Sequence, residues 1–283
     1  MTIDYNSLMN WEIPDAFQEY SQKDCILYAL GLGFGGDPTD LKQLRYVYEK
    51  DLVPFPSMAV VLAMGGSWAR AEGTGIDFTQ LLHAEAGFEI HRPLPVKGSV
   101  VSKTRVTDVI DKGPGRGAIV ISQRQLFLNG EPSPIATFRS SSFCRADGGF
   151  GGPVTVSPKP HPIPDRAPDL RISIKTLPQS ALIYRLSGDY NELHCDPEIA
   201  QNAGFERPIL HGLCSFGTAV RSVVEGFDLD PVTVKGAGVR FTSPVYPAET
   251  LETAIWRDSD IISFRTRVTE RDVLVLNHGW LKA

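Results

Sequence analysis

Between Gly151 and Leu170 the sequence runs GGPVTVSPKPHPIPDRAPDL, with six prolines in this short stretch. Each proline fixes φ and removes a backbone donor, so the stretch holds neither a helix nor a central strand. It is predicted to be an extended linker over 153–170. The 283 residues are thereby divided into an N-terminal part, 1–152, and a C-terminal part, 171–283, both of ordinary domain size.

The two parts echo each other. AGFEIHRPL from Ala86 to Leu94 and AGVRFTSPV from Ala237 to Val245 match at a constant offset, with Ala, Gly and Pro identical. A second echo sets Tyr28-Ala29-Leu30-Gly31 against Tyr184-Arg185-Leu186-Ser187. Together they argue for an internal duplication. In the second part, Ile209 to Val224 is apolar or small on nearly every side, as a helix wrapped by a sheet would be. Strand-like runs follow at Thr233–Thr242, Thr250–Arg257, Ile261–Thr269 and Val273–Leu281. In the first part the helix is predicted over Ser57–Arg70, and the strands over Phe88–His91, Val100–Ile110, Gly117–Leu128 and Ile135–Arg145. One buried helix enclosed by a long antiparallel sheet is the hotdog layout. The expected fold class is α+β, a double hotdog, and joining the two sheets side by side would remove an exposed edge from each.

Composition narrows the function. Charged residues are 22% and hydrophobic residues 42% of the chain, ordinary for a globular protein. A formal net charge of −5 disfavours nucleic acid or anionic membrane as a partner. No apolar run approaches the roughly 20 residues that span a bilayer. Cys25, Cys144, Cys195 and Cys214 form no CxxC pair and suit reduced thiols. The N-terminal residues lack a signal-peptide pattern and the chain ends Leu281-Lys282-Ala283, not a peroxisomal tripeptide. A cytoplasmic location is expected, with a peroxisomal one only for a eukaryotic chain targeted by another signal.

Polar functional groups concentrate in YRLSGDYNELHCDP, from Tyr184 to Pro197, just before the predicted buried helix. Asp189, Asn191 and His194 lie within six residues. A carboxylate and an imidazole that close can share one water, one taking its proton and the other returning a proton to the substrate. Gly212 falls near the helix start, where backbone N–H groups lack intrahelical partners and meet the positive end of the dipole. A thioester enolate oxygen could be held there. Taken singly, these residues read as turn and capping groups, and Asp196-Pro197-Glu198 looks like an ordinary helix start. Their grouping shifts the balance toward chemistry.

The segment from Tyr184 to Gly212 resembles the MaoC-like hydratase motif, and closely the hydratase 2 domain of peroxisomal multifunctional enzyme type 2. The resemblance extends over nearly the whole chain, through Tyr48-Glu49, Leu82-His83, Arg92-Pro93-Leu94-Pro95, Asp111-Lys112-Gly113 and Gly148-Gly149-Phe150-Gly151-Gly152. It implies a double-hotdog enzyme that hydrates trans-2-enoyl-CoA to the (3R)-3-hydroxyacyl-CoA, or the reverse. It implies an N-terminal half that holds the acyl chain and a C-terminal half with the acid/base pair Asp189 and His194. Asn191 would help hold the water and the Gly212 amide would receive the thioester oxygen. His83, Ala84, Lys112 and Phe241 match positions lining the CoA-ester site. Glu49, Tyr184, Asp196 and His211 match supporting polar positions. The chain departs from the family at Glu192, where proline is usual, and at Ala84, where glycine is usual. Aligning Tyr28 with Tyr184 sets Gly33 opposite Asp189 and Pro38 opposite His194, so the first half is expected to lack an acid/base pair.

Gly31 to Gly36 fits G-x-G-x-x-G, but Asp37-Pro38 follows where a helix should begin, so it is read as a loop. His194, Asp196 and His211 as metal ligands lack a recognised spacing and would leave Asp189 without a task. No metal or separate cofactor is expected, coenzyme A being part of the substrate. Lys103, Arg105, Lys112 and Arg116 could face CoA phosphates or be a solvated strand face. No serine-hydrolase elbow is present. A hotdog thioesterase and a non-catalytic acyl-CoA-binding protein are the alternatives, and pairing as a homodimer is left open.

Overall fold

A computed structural model of the chain describes residues 2–153, 159–258 and 260–283. The described elements are, in order, α1 (Tyr5–Met9), β1 (Ala16–Tyr20), α2 (Gln22–Gly31), α3 (Leu41–Leu44), β2 (Leu81–Ile90), β3 (Gly98–Asp111), β4 (Ala118–Leu128), β5 (Pro134–Cys144), β6 (Leu170–Lys175), α4 (Ser180–Tyr184), α5 (Pro197–Asn202), α6 (Gly212–Gly226), β7 (Gly236–Phe241), β8 (Thr250–Arg257), β9 (Ile261–Val268) and β10 (Val273–Lys282). Short 3₁₀ turns punctuate them. The strands form one ten-stranded antiparallel sheet in the order β1-β3-β4-β5-β2-β7-β10-β9-β8-β6. Exchanging β1 to β5 for β6 to β10 reverses that order onto itself, so the duplication seen in sequence is also a duplication of topology.

The repeat segments meet each other at the centre. β2 pairs with β7, Gly87 facing Gly238, Ala86 facing Val239 and Phe88 facing Ala237. Gly87 and Gly238 are the matching glycines of the two sequence echoes, so a pseudo-twofold axis passes through their contact. Arg240 reinforces the seam by donating to Glu85 from Nε at 2.8 Å and Nη2 at 2.6 Å. Tyr28 and Tyr184, the second echo, also face one another, ring centroids 5.7 Å apart.

α6 is the central helix of the second half. Every residue from Leu213 to Val224 is buried. Its Thr218 and Ser222 hydroxyls donate back to carbonyls one turn earlier, at 3.0 and 3.1 Å, which satisfies them without water. One core runs through both halves, and Phe216 of α6 packs on Phe88 of β2 across the seam.

The first half departs from the predicted helix over Ser57–Arg70. Only two short 3₁₀ turns, Pro56–Val60 and Trp68–Arg70, form there. Ala63 takes φ +47° and Gly65-Gly66 follows, each glycine costing about 1 kcal/mol in a helix. The carbonyls and amides a helix would have paired are instead taken by the sheet. Gln18 accepts from the Ala63 N–H at 2.6 Å, Ser102 donates to the Ala63 carbonyl at 2.6 Å, and Arg124 donates to the Val60 carbonyl. The expectation of a long central helix in each repeat therefore holds for the second half alone.

The strands match their predicted spans within a few residues, except that β2 begins at Leu81. The edge strands β1 and β6 and helix α2 were not predicted. β6 starts at Leu170, inside the span assigned to the linker, while 154–158 lies outside the described residues. The glycine run after α2 is a loop, with Gly33 and Gly35 at positive φ. Removing the seam contact by Phe216→Ala should cost about 3–5 kcal/mol of stability, read from the midpoint of urea unfolding; an unchanged midpoint would contradict a core shared by the halves.

Candidate active site

The loop between α4 and α6 is held from both sides. Gly188 takes φ +131°, and an added Cβ there would lie 3.0 Å from the Val61 carbonyl of the first half. Only glycine suits that position. Asp189 follows. Its backbone carbonyl accepts from His211 Nε2 at 3.0 Å, and the Asn191 N–H reaches its Oδ1 at 3.4 Å. Asn191 caps the turn Glu192–His194, its Oδ1 accepting from the Leu193 N–H at 3.2 Å, so its amide NH₂ stays available as a donor. Glu192, the departure from the family pattern, is exposed within this turn and leaves it formed.

His194 and His211 fix each other's chemistry. His194 Nδ1 lies 2.8 Å from the Ile209 carbonyl. A carbonyl only accepts, so Nδ1 carries the proton and Nε2 presents its lone pair. By the same reasoning His211 Nε2 is protonated toward Asp189. The two rings stack at 3.7 Å. Burial pushes both imidazoles below their ordinary value, and each would suffer from a charge on the other. For His194 the Asp189 carboxylate opposes that fall. Ligand atoms of Asp189, His194 and His211 all lie within 4.8 Å of one another, so one water between Asp189 and His194 can reach both.

Gly212 opens α6 and is half-buried where the twelve residues after it are enclosed. The helix's first N–H groups are thus presented at the edge of the core. Phe241 closes the other side, its ring 3.1 Å from the position a Gly212 Cβ would occupy. His83 packs on Phe241 with ring centroids 4.8 Å apart and shares a hydrogen bond with Ser140 at 2.9 Å. The β2–β7 seam thus brings His83 of the first half beside Phe241 at the start of α6 in the second. Burial lowers His83 to about 4. Ala84 is the extra residue of a β-bulge, His83 facing Ser142 and Glu85 facing Ser141. Its backbone is free of the ladder, which accommodates alanine in place of glycine.

The remaining predicted residues divide. Tyr184 is fully buried against His211, ring centroids 5.0 Å apart, and burial holds its phenol well above the ordinary value. Asp196 caps α5, accepting from Glu198 N–H at 2.9 Å and Ile199 N–H at 3.2 Å. Asp196 thus starts the helix as its sequence suggests, and the donor cluster holds Asp189 with His194 and His211. Lys112 follows β3 in the turn to β4, three strand spacings or roughly 14 Å across the sheet from β2, suited only to the far end of a long ligand. Glu49 is exposed after α3, with no ion pair among the described residues. At the first half's matching position, an added Gly33 Cβ would lie 3.2 Å from the Arg221 guanidinium, which donates to the Leu32 carbonyl at 3.0 Å. Sequence reasoning missed Ser187, whose buried hydroxyl, like Tyr184 Oη, Arg185 Nε and His211 Nδ1, has no protein partner. All four fall between residues 184 and 211.

Residues 18–146 match the MFE-2 hydratase 2 N-terminal domain and residues 160–278 the MaoC like domain. The chain is 36% identical over 284 residues to the enoyl-CoA hydratase ChsH3 of Mycobacterium tuberculosis, covering 99% of this chain and 98% of that protein. It is 36% identical to the peroxisomal enoyl-CoA hydratase 2 of Arabidopsis thaliana, covering 96% and 94%. The crystal structure of a MaoC-like dehydratase from Phytophthora capsici superposes with a TM-score of 0.85 at 34% identity, covering 98% and 97%. The fold is a double hotdog of the MaoC-like class. Within that class, the chain belongs to the hydratase 2 family.

Three imidazoles, His83, His194 and His211, are held below the ordinary value near 6.5. The unfolded chain therefore binds protons that the folded chain refuses, and stability is lost as pH falls below about 6.5 toward 4. Urea midpoints measured between pH 7 and 4.5 should drop with unchanged slope, and more shallowly in His211→Gln. A flat profile would contradict buried neutral imidazoles.

Proposed function

We infer that the chain is a hydro-lyase that adds water to a 2-enoyl-CoA, or removes it from the 3-hydroxyacyl-CoA. The observation that carries this is a carboxylate and an imidazole acceptor within reach of one water, beside the N-terminus of a buried helix. The water donates to the Asp189 carboxylate and to His194 Nε2, and the Asn191 amide donates to its oxygen. As that oxygen bonds to C3, one water proton passes to this pair and one proton is delivered to C2. The pair ends as it began, and one water has been added across the double bond. Negative charge that builds on the thioester oxygen is met by the Gly212 N–H and the dipole of α6.

Attack and protonation from one side make the addition syn; which face of the double bond meets the water sets the C3 configuration, and the (3R) product is the one expected of a hydratase 2. The acyl chain extends into the first half, where the sheet and the turn at Pro56–Val60 replace a helix. The phosphate end of coenzyme A runs toward Lys112. The reading needs neither metal nor redox group, because the donors that cluster here already have tasks: Asp189 and His194 hold the water, and His211 positions the Asp189 backbone. Among the described residues no helix is long and apolar enough to cross a membrane.

Asp189→Asn and His194→Ala should each lower turnover of crotonyl-CoA by about 10²–10⁴-fold with folding intact, followed by loss of the conjugated thioester absorbance. Near-normal rates in either variant, or release of free thiol from coenzyme A instead of hydration, would overturn the reading. Extended dialysis against a chelator should leave the rate of the wild-type enzyme unchanged; a loss restored by a divalent ion would assign the Asp189–His194–His211 cluster to metal.

A further inference from the structure

Two arginines lie in the core, Arg221 and Arg124. Arg221 is neutralised by Glu225 at 3.0 Å. Arg124, on β4 and 6% exposed, has no carboxylate within ion-pair distance among the described residues. Its Nη2 donates to the Val60 carbonyl and its guanidinium lies 5.1 Å from the Phe138 ring centroid. Its Nε and Nη1 donate to no described residue, yet neither is fully enclosed by protein atoms. Its face of the sheet is mixed: Phe138 of β5 and Thr104 of β3 lie directly opposite it, and Ser122 and Leu126 flank it on β4. An unpaired buried cation is costly unless something meets its charge.

Its place in the fold says what could. The turn that Arg124 grips ends at Val61, whose carbonyl abuts Gly188, the residue before Asp189. A few residue lengths, on the order of 10 Å, separate the guanidinium from the reacting centre. Burial lowers Arg124 to about 10, against the pull of the Asp189 charge, which agrees with both groups sharing one interior. A hydrocarbon chain passing here would leave the free N–H donors against methylene groups.

We propose that Arg124 selects the substrate, binding an acceptor oxygen (hydroxyl, carbonyl or carboxylate) carried on the acyl chain several carbons beyond the double bond. The proposal rests on the hydratase reading above and narrows its substrate class from enoyl-CoA thioesters in general to oxygenated ones. A site built to hydrogen-bond such an oxygen rejects the analogue that lacks it, because the donors are then left unpaired.

The test compares trans-2-decenoyl-CoA with chains of the same length bearing oxygen at C6, C8 or C10, the last as alcohol and as carboxylate. In the wild-type enzyme at least one oxygenated substrate should exceed the plain chain in kcat/KM by about tenfold or more, the size of one charge-assisted hydrogen bond. In Arg124→Met that ratio should fall toward one, and in Arg124→Lys it should be partly kept. Preference for the carboxylate alone would identify charge as the recognised feature, and equal preference for the alcohol would identify the hydrogen bond. No oxygenated chain exceeding decenoyl-CoA, or a preference that survives Arg124→Met, would overturn the proposal and leave Arg124 a clamp on the Val60 carbonyl. The wild-type series decides even if the methionine variant does not fold. Calorimetry with the saturated thioesters separates the two readings: absent hydration of crotonyl-CoA sinks the hydratase, whereas equal affinity for plain and oxygenated chains sinks only the role of Arg124.

Discussion

The pairing of β2 with β7 is the contact on which the rest of the molecule depends. It merges two five-stranded sheets, buries what would otherwise be two open edges, and sets Gly87 against its own repeat partner Gly238. Because the strands run antiparallel about that point, the start of β2 lies beside the end of β7. His83 and Phe241 come from opposite ends of the sequence repeat and still touch. The same geometry sets the Val61 carbonyl, just after the turn Pro56–Val60 of one half, against Gly188 in the other, so both halves pack the candidate site.

Much of this was legible in the sequence. Strands β3 to β5 and β8 to β10 are long and β-branched, and their period survives any local disturbance. The buried helix α6 could be read because it is apolar all round and opens with glycine after Pro208 and His211. The candidate site was readable because Asp189, Asn191 and His194 are close in the chain and need no long-range contact to be associated. What escaped reading depends on partners far away. β1 and β6 are short edge strands whose identity comes from β3 and β8. The helix predicted over Ser57–Arg70 has an apolar pattern but loses its backbone partners to Gln18, Ser102 and Arg124, none of which is near it in sequence. His83 could be named from the resemblance, but its contact with Phe241 could not, because the two meet only once β2 pairs with β7.

The asymmetry between the halves has a simple physical origin. Where α6 satisfies its own backbone, the corresponding stretch of the first half is satisfied by side chains of the surrounding sheet, and so can be shorter. A helix of fifteen residues fills the concave face of its sheet, whereas a five-residue turn covers only part of it. A short turn in one half and a long buried helix in the other are two outcomes of how the same backbone groups find their hydrogen-bond partners.

The reversible strand order has a consequence for how such a molecule can change. Two identical hotdogs associating through the same edge would have to accept every substitution twice, once in each copy, and a residue good for gripping a hydrocarbon would also appear where water is activated. Linking the copies in one chain lifts that obligation. Gly33 can stand where its counterpart is Asp189, and Arg124 can sit in one lobe without intruding on the other. Fusion gives up one of two reaction centres and, in exchange, lets the surviving one be served by a neighbour free to evolve for a different task.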